Sequence, residues 1–169
     1  MSEVQETYNP ETLWDLIKET RYGMLTHRHE DGLLHSHPLT TQNKRLDADA
    51  LLYFFIPKDG EIAHVVAHDG SVNVAYANPD DDTYVSVTGR ASMLDDPALK
   101  EKLFTSFAKA WFPGGAGDPN LGLLAVEIVS ADYWEVQDSK LTQLFKMMRS
   151  AVTGNPPTDI GEHARVVMN

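Results

Sequence analysis

The stretch Lys109-Ala110-Trp111-Phe112-Pro113-Gly114-Gly115-Ala116-Gly117-Asp118-Pro119-Asn120 organises this chain, together with the elements on either side of it. Its three glycines and two prolines exclude a regular helix or strand, because proline lacks a backbone donor and glycine adds conformational freedom. Trp111 and Phe112 are nevertheless too apolar for a solvated linker. The stretch predicts a loop whose aromatic rings either rest on a neighbouring subunit or planar ligand, or simply close the core.

Composition limits the class of protein. The 169 residues suit one domain with a sizeable core, and the formal charge of −11 argues against nucleic acid or an anionic membrane as the main partner. The absence of cysteine excludes disulfides and thiolate chemistry. No apolar run approaches the roughly 20 residues of a membrane-spanning helix, and the acidic segment 1–6 is not typical of a signal peptide. We therefore expect a cytoplasmic protein.

The hydrophobic pattern predicts six strands and four helices. The strands are expected at residues 24–29, 33–40, 51–56, 71–76, 83–93 and 121–129, the last extending through 133–136. The helices are expected at residues 10–20, 61–68, 95–110 and 140–149. Most strands are adjacent in sequence with little strand–helix alternation, which predicts an antiparallel α+β fold and a small barrel. Residues 1–152 form the predicted domain, and 153–169 a loosely ordered tail.

Three local features refine these strands. The run 51–56 has no polar alternation, which predicts burial on both faces. Pro38 cannot donate to a strand ladder, so it marks an edge, a bulge or an opening in the sheet. Gly89 is expected at a bulge or bend.

Histidines concentrate on the first two predicted strands, at His27, His29, His35 and His37. A two-residue turn at Asp31-Gly32 would point the two pairs to opposite faces, whereas a three-residue turn would place all four on one face. Four clustered histidines could bind zinc, nickel or copper. Strand spacing without a supporting carboxylate or cysteine is weak evidence, so no metal site is assigned from the sequence.

Taken in order, the motifs resemble the FMN-binding split-barrel superfamily that includes pyridoxamine 5'-phosphate oxidase, and within it the small bacterial general stress proteins. The resemblance covers roughly residues 11–136. It rests on the 31–39 hairpin, on 52–55, 72–79 and 85–91, on 111–115 with 118–120, on 121–124, and on Tyr133-Trp134. It implies a six-stranded antiparallel split β-barrel with peripheral helices.

The resemblance also implies a homodimer with FMN, or alternatively FAD, at the subunit interface. The isoalloxazine ring would be lined by His35, Ser36, His37, Pro38 and Leu39. The ribityl phosphate would meet the strand end and helix start, represented by Phe55, Ile56, Lys58, Gly60 and Ile62. Trp111 or Trp134 would cover the ring. His37 would donate to the ring edge that becomes negative on reduction.

Four positions depart from the family pattern. The family usually has arginine at His37, a hydroxyl residue at Ile56, serine at Gly60 and lysine at Ile62. A phosphate group favours charge-assisted donors or a helix N-terminus, so these departures weaken the expected phosphate site and leave Lys58, nearby backbone amides, and His64 or Arg90.

The expected function is a flavin-binding, general stress-type protein with oxidoreductase capacity towards an unidentified small substrate. No residue is assigned as a catalytic acid or base. Pyridoxamine 5'-phosphate oxidase activity itself is not expected, because the sequence has no basic cluster suited to the substrate phosphate. The alternatives are a split-barrel binding or stress-response module that has lost its flavin, and a histidine-dependent metal binder.

Overall fold

The computed structural model describes residues 4–6, 8–20, 22–135, 147 and 162–168. It contains eight strands and three α-helices within these ranges. The strands are β1 (Val4–Glu6), β2 (Gly23–Arg28), β3 (Leu34–Leu39), β4 (Leu51–Pro57), β5 (Ser71–Asn78), β6 (Thr83–Leu94), β7 (Leu121–Glu135) and β8 (Glu162–Val167). The helices are α1 (Pro10–Ile17), α2 (Glu61–Val66) and α3 (Pro97–Leu103), and two short 3₁₀ turns lie at Ala108–Ala110 and Gly115–Gly117.

Strands β2 to β7 form a barrel with one nearly open seam. The sheet runs in the order β1-β8-β7-β6-β5-β2-β3, and β4 pairs with β7. The six barrel strands therefore follow the order β4-β7-β6-β5-β2-β3, and the seam lies between β3 and β4, where a single bridge joins Thr41 to Phe54 just beyond the end of β3. All pairs among β2 to β7 are antiparallel, so the predicted α+β class and six-stranded split barrel are confirmed.

Long strands β6 and β7 bend at a bulge. Their register shifts between Thr88 and Gly89, as predicted for this glycine. A Cβ at Gly89 would lie 2.5 Å from Cγ1 of Val126 and 2.7 Å from the carbonyl oxygen of Glu127, so any larger residue would force the strands apart. Beyond the bulge, β7 pairs with β8, while before it β7 pairs with β4.

The barrel interior is filled by alternate residues of these strands and closed by helices. The buried cluster includes Leu25, Leu52, Phe54, Ile56, Val74, Val87, Leu124, Val126 and Ile128, together with Leu13 and Ile17 of α1 and Ile62, Ala63 and Val66 of α2. Helix α1 begins as predicted, because the Asn9 side chain accepts hydrogen bonds from the amides of Glu11 and Thr12. Within the described ranges, no helix is long and apolar enough to cross a membrane.

The structure corrects the prediction for β4. Only Leu52, Phe54 and Ile56 of this strand are buried, whereas Leu51, Tyr53 and Phe55 are half-exposed in the single chain. One face of β4 points into the barrel and the other lies outside it, beside the seam. A continuous apolar run does not reveal this difference.

Two further predictions were partly wrong. Helix α3 ends at Leu103 rather than near Ala110, because Phe104 adopts an extended backbone and the Thr105 hydroxyl accepts from the amide of Ala108 to start a new turn. Residues 162–167, expected to be loosely ordered, form β8, which gains ladder hydrogen bonds from both β1 and β7. The helix predicted at 140–149 falls almost wholly outside the described residues, as does 153–161.

The β2–β3 hairpin has the three-residue turn. His29 and Leu33 face each other through the bond from the His29 amide to the Leu33 carbonyl, which leaves residues 30–32 as the turn. Gly32 has a φ of +82°, the left-handed conformation that closes this turn type. His27 consequently lies opposite His35, and all four histidines share one face of the hairpin.

Candidate functional site

An apolar groove lies beside the barrel seam, where β3 and β4 diverge. Its volume is about 310 Å³, at the lower end of the range for small-molecule sites. The lining residues are Tyr22, Pro38, Leu39, Thr40, Gln42, Phe55, Pro57, Phe107, Ala108, Trp111 and Phe112. This surface combines aromatic and aliphatic groups with a few polar atoms, which suits a planar ligand.

The two adjacent aromatics of the organising loop have different roles. Phe112 is buried and fixes the loop to the barrel, whereas the Trp111 side chain is 75% exposed at the rim of the groove. The prediction that an aromatic ring of this loop closes the core is therefore confirmed for Phe112, whereas contact of Trp111 with a neighbouring subunit or a planar ligand stays a prediction. Burying an indole requires a surface that the described residues of one chain do not provide.

Asp118 and Asn120 hold the loop against the end of β4. The Asp118 carboxylate accepts hydrogen bonds from the amides of Gly114 and Asn120. Asn120 in turn accepts from the amide of Lys58 through its carbonyl and from the amide of Asp59 through Oδ1. These bonds fix the position of one wall of the groove relative to the other.

Strand β3 presents an open edge to the groove. Among the described strands only β2 pairs with it along Leu34–Leu39. Unpaired backbone groups along such an edge can bind the polar rim of a planar ligand or another chain. Pro38 lies at this edge, as its missing donor predicted.

The four histidines form a second site on the inner face of the hairpin, at the barrel end covered by α2. His27 is 1% exposed, and the other three are partly exposed. The His27 and His37 rings stack with centroids 5.3 Å apart, and those of His29 and His35 stack at 4.4 Å. We call these residues, together with Glu61, the histidine cluster.

Glu61, the first residue of α2, is the feature that sequence reasoning missed. Its Oε1 lies 3.0 Å from Nδ1 of His35, 3.1 Å from Nδ1 of His29, 3.3 Å from Nε2 of His27 and 3.6 Å from Nε2 of His37. Only the contact with His35 has hydrogen-bond geometry. No local pattern could have indicated Glu61, because it lies 26 residues beyond His35 in the chain.

The electrostatics of the cluster keep Glu61 ionised. Partial desolvation raises the pKa of Glu61, but the hydrogen bond with His35 and the charges of His29, His37 and His35 together outweigh it and hold that pKa below its usual value. Asp31 supports the arrangement from the turn, since its Oδ2 lies 3.2 Å from Nε2 of His35. The site thus offers an anionic oxygen among imidazole nitrogens.

A cleft of about 610 Å³ lies beside the cluster and contains the expected phosphate region. It is lined by His29, Lys58, Asp59, Gly60, Glu61, Ala63, His64 and Ala67. Lys58 and two histidines are its potential cations, and Asp59 and Glu61 are its anions. The charge balance is less favourable to a phosphate dianion than a basic cluster would be.

The predicted flavin-site residues are distributed over several places. Pro38, Leu39, Phe55 and Trp111 meet in the groove, whereas Lys58 and Gly60 line the adjacent cleft. His35 and His37 belong to the histidine cluster, and the Ser36 hydroxyl lies 2.7 Å from that of Thr26 on the other face of the hairpin.

The remaining three lie elsewhere. Ile56 and Ile62 are buried in the core. The Trp134 ring stacks on His163 of β8, with centroids 4.9 Å apart. The groove residues that the sequence did not indicate, such as Tyr22 and Phe107, come from segments that local patterns do not relate to β3.

Comparison with known proteins places these features in context. The family model described as "Pyridoxamine 5'-phosphate oxidase like" matches residues 9–158. The general stress FMN/FAD binding protein of Xanthomonas citri is 30% identical, with a TM-score of 0.67 over 77% of this chain and 90% of that one. A candidate general stress protein 26 of Jannaschia sp. CCS1 shares the fold, with 23% identity and a TM-score of 0.71 over 92% of this chain and 95% of that one.

A fungal relative matches over a shorter region. Protein bli-3 of Neurospora crassa is 29% identical over 98 residues, which are 53% of this chain and 47% of that protein. The alignment thus spans about half the length of this curated relative.

Proposed function

Because the chain belongs to the pyridoxamine 5'-phosphate oxidase-like family, as its motifs predicted, we propose that it is a flavin-binding protein of the general stress type. FMN is the proposed cofactor, with FAD as the alternative. The Xanthomonas citri protein, which is 30% identical, carries FMN/FAD binding in its name. This similarity supports the proposal for the present chain.

The groove is the observation that carries the proposal. It brings together four residues expected at the flavin from sequence, namely Pro38, Leu39, Phe55 and Trp111. Its walls are apolar and aromatic, and the open edge of β3 offers backbone donors and acceptors beside them. These properties match an isoalloxazine ring, which has two flat faces and a polar rim.

The residues present fit the two ends of the cofactor unequally. The groove suits the ring, but Lys58 is the one fixed cation in the neighbouring cleft, where it shares the space with Asp59 and Glu61. We therefore expect the aromatic contacts to supply most of the affinity. The flavin, when bound, supplies electron transfer to and from a small substrate, and the chain orients and shields it.

We also propose that two chains complete the site. The Trp111 indole and the half-exposed face of β4 need a covering surface, and a second copy would supply one.

None of the described groove residues is lysine or arginine. We therefore do not propose a phosphorylated pyridoxamine as the substrate. The cytoplasmic location remains a prediction from the sequence.

The test is a titration of tag-free, flavin-stripped protein with FMN, followed by tryptophan and flavin fluorescence. Trp111→Ala should weaken FMN binding about tenfold, since stacking on an aromatic ring contributes about 0.5–1.5 kcal/mol beyond area burial. Trp134→Ala is the matched control, because this indole lies outside the groove on His163. It should leave the affinity unchanged.

Two results would contradict the proposal. A wild-type protein that retains no FMN or FAD after desalting would favour a split-barrel module that has lost its cofactor. A loss of affinity in Trp134→Ala but not in Trp111→Ala would move the flavin away from the groove to the β7–β8 face.

A further inference from the structure

The histidine cluster contains more donor atoms than hydrogen bonding can satisfy. Four imidazole nitrogens lie within 3.0–3.6 Å of one carboxylate oxygen, Oε1 of Glu61. A carboxylate oxygen has two lone pairs and cannot accept four well-directed hydrogen bonds. Nδ1 of His29, one of these four nitrogens, is buried without a hydrogen-bond partner in the described structure. His35 bonds Glu61 and the Nε2 atoms of His27 and His37 face each other at 3.2 Å, so a cation among these atoms would be held by imidazole lone pairs and the carboxylate.

We propose that His27, His37 and Glu61 form a binding site for one divalent transition-metal ion of the zinc class. The donor atoms are Nε2 of His27, Nε2 of His37 and Oε1 of Glu61. The three separations are 3.2 Å between the two nitrogens, 3.3 Å from His27 to Glu61 and 3.6 Å from His37 to Glu61. Two imidazoles and one carboxylate are a common ligand set for zinc and for other first-row metals.

The separations match the dimensions of a metal site. A tetrahedral ion with bonds of about 2.05 Å places its ligand atoms about 3.35 Å apart, which lies within the 3.2–3.6 Å range of this triangle. All three donor atoms lie within 4.8 Å of one another, so one ion can contact them together. The triangle leaves further positions of the ion open for water or another ligand.

The rigidity of the scaffold favours this triad over the His29–His35–Glu61 set. His27 is fully enclosed by the barrel and is held on β2 between paired strands β3 and β5. His35 instead hydrogen-bonds both Glu61 and Asp31. It is therefore a positioning residue, which orients the Glu61 carboxylate in the way that outer carboxylates and histidines orient metal ligands.

The sequence could not assign this metal site because the hairpin with the four histidines carries no carboxylate ligand at the site. Helix α2 supplies that carboxylate, Glu61, where it packs against the end of the hairpin. His64 of α2 reinforces this docking through Glu30 of the turn, at 2.8 Å. The proposal does not depend on flavin binding, because its donors lie outside the groove.

The experiment uses tag-free protein, because a polyhistidine tag would bind the metal itself. The full chain is stripped with a chelator, exchanged into metal-free buffer, loaded with Zn²⁺ and desalted. Metal analysis should find one zinc per chain, and competition with a chromophoric chelator should give the affinity. His37→Gln and Glu61→Gln should each weaken binding by about 100-fold, since even outer-shell changes cost about 10–100-fold.

Two controls make the result specific. His68→Gln changes an exposed histidine outside the cluster, which contacts the His64 carbonyl, and should bind zinc as the wild type does. His35→Gln should weaken binding less than His37→Gln, because His35 acts through Glu61. Thermal unfolding should show a zinc-dependent rise in Tm for wild type and His68→Gln that Glu61→Gln lacks.

The proposal is overturned if wild-type protein loses its zinc on desalting. It is equally overturned if His37→Gln and Glu61→Gln, shown by circular dichroism to be folded, bind zinc as tightly as wild type. Neither result would bear on the flavin proposal, whose readout is FMN binding in metal-free buffer.

Discussion

The histidine cluster and the aromatic groove share strand β3, but the fold completes them to different degrees. The cluster lies on the inner face of the hairpin, and α2 supplies its carboxylate within the same chain. The groove lies at the open seam, and its most prominent group, Trp111, is largely exposed. The comparison indicates that one chain preorganises the polar site, whereas it leaves the largest aromatic group of the apolar site in solvent.

The largest expected effect comes from comparing two neighbouring residues of β4, one in the barrel core that supports both sites and one in the groove. Phe54 is fully buried and Phe55 faces the groove beside Phe104. Phe54→Ala should lower the free energy of unfolding by about 3–5 kcal/mol and weaken both sites. Phe55→Ala should lower the free energy of unfolding by about 1–2 kcal/mol. Of the two sites, it should weaken the FMN groove and leave the histidine cluster unchanged. Urea unfolding measures the loss of unfolding free energy in each variant. Equal losses in Phe54→Ala and Phe55→Ala would contradict the assignment of one residue to the core and the other to the groove.

The next effect concerns the exposed Trp111 at the rim of the groove. Trp111→Ala should change the unfolding free energy of the single chain by less than about 0.5 kcal/mol, because its side chain is mostly in solvent. If the indole is covered by a second copy, the variant should dissociate at roughly tenfold higher concentration than wild type. Sedimentation over a dilution series measures this shift. An unchanged dimer, or a monomeric wild type, would mean that Trp111 is not at a subunit interface.

A smaller effect is expected when the cluster loses its buried histidine. In His27→Leu the new side chain is similar in size to histidine and lacks the unpartnered Nδ1. The free energy of unfolding of the metal-free protein should therefore rise by about 1 kcal/mol. The zinc-dependent rise in Tm should vanish at the same time. A variant clearly less stable than metal-free wild type would show that His27 contributes packing or hydrogen bonds to the fold itself.

The smallest effect is expected at Asp69, which belongs to neither site. The hydrogen bond from the Ser71 amide, at 2.9 Å, is the main reason that the pKa of Asp69 lies below its usual value, aided by Arg28 and Arg90. Because folding lowers the pKa of Asp69, the ionised carboxylate stabilises the folded state at pH values above the unfolded-state pKa. This stabilisation is lost as the pH falls through the folded-state pKa. Asp69→Asn should be slightly less stable than wild type at neutral pH, and the difference should close in acid. A gap that persists in acid would have another cause.

Local chemistry predicted much of the barrel. Asn9 and Pro10 mark the start of α1, Gly89 marks the bulge, and Pro38 marks the seam. These predictions succeeded because a cap, a close backbone approach and a missing donor each impose their own geometry. Strands β1 and β8 were missed because β1 is three residues long and β8 follows a proline-bearing tail, so pairing of β8 with β7 and of β1 with β8, rather than local propensity, defines them.

The candidate sites were only partly predictable. The aromatic loop indicated that Trp111 and Phe112 are important, but which one is buried depends on how Asp118 and Asn120 hold the loop to β4. The histidines were visible, yet their common face depended on one residue of turn length. That residue changes the register, which inverts the face of every side chain on the returning strand.

By itself the sequence determined an α+β, cysteine-free chain of the pyridoxamine 5'-phosphate oxidase-like family, with a proline-broken strand and a histidine-rich hairpin. These properties are local, since each resides in a residue type or a short spacing. Only the tertiary structure decided that Glu61 lies among the histidines and that Trp111 projects beside the seam. The reason is physical: barrel closure brings together residues far apart in the chain, and no local pattern records those distances.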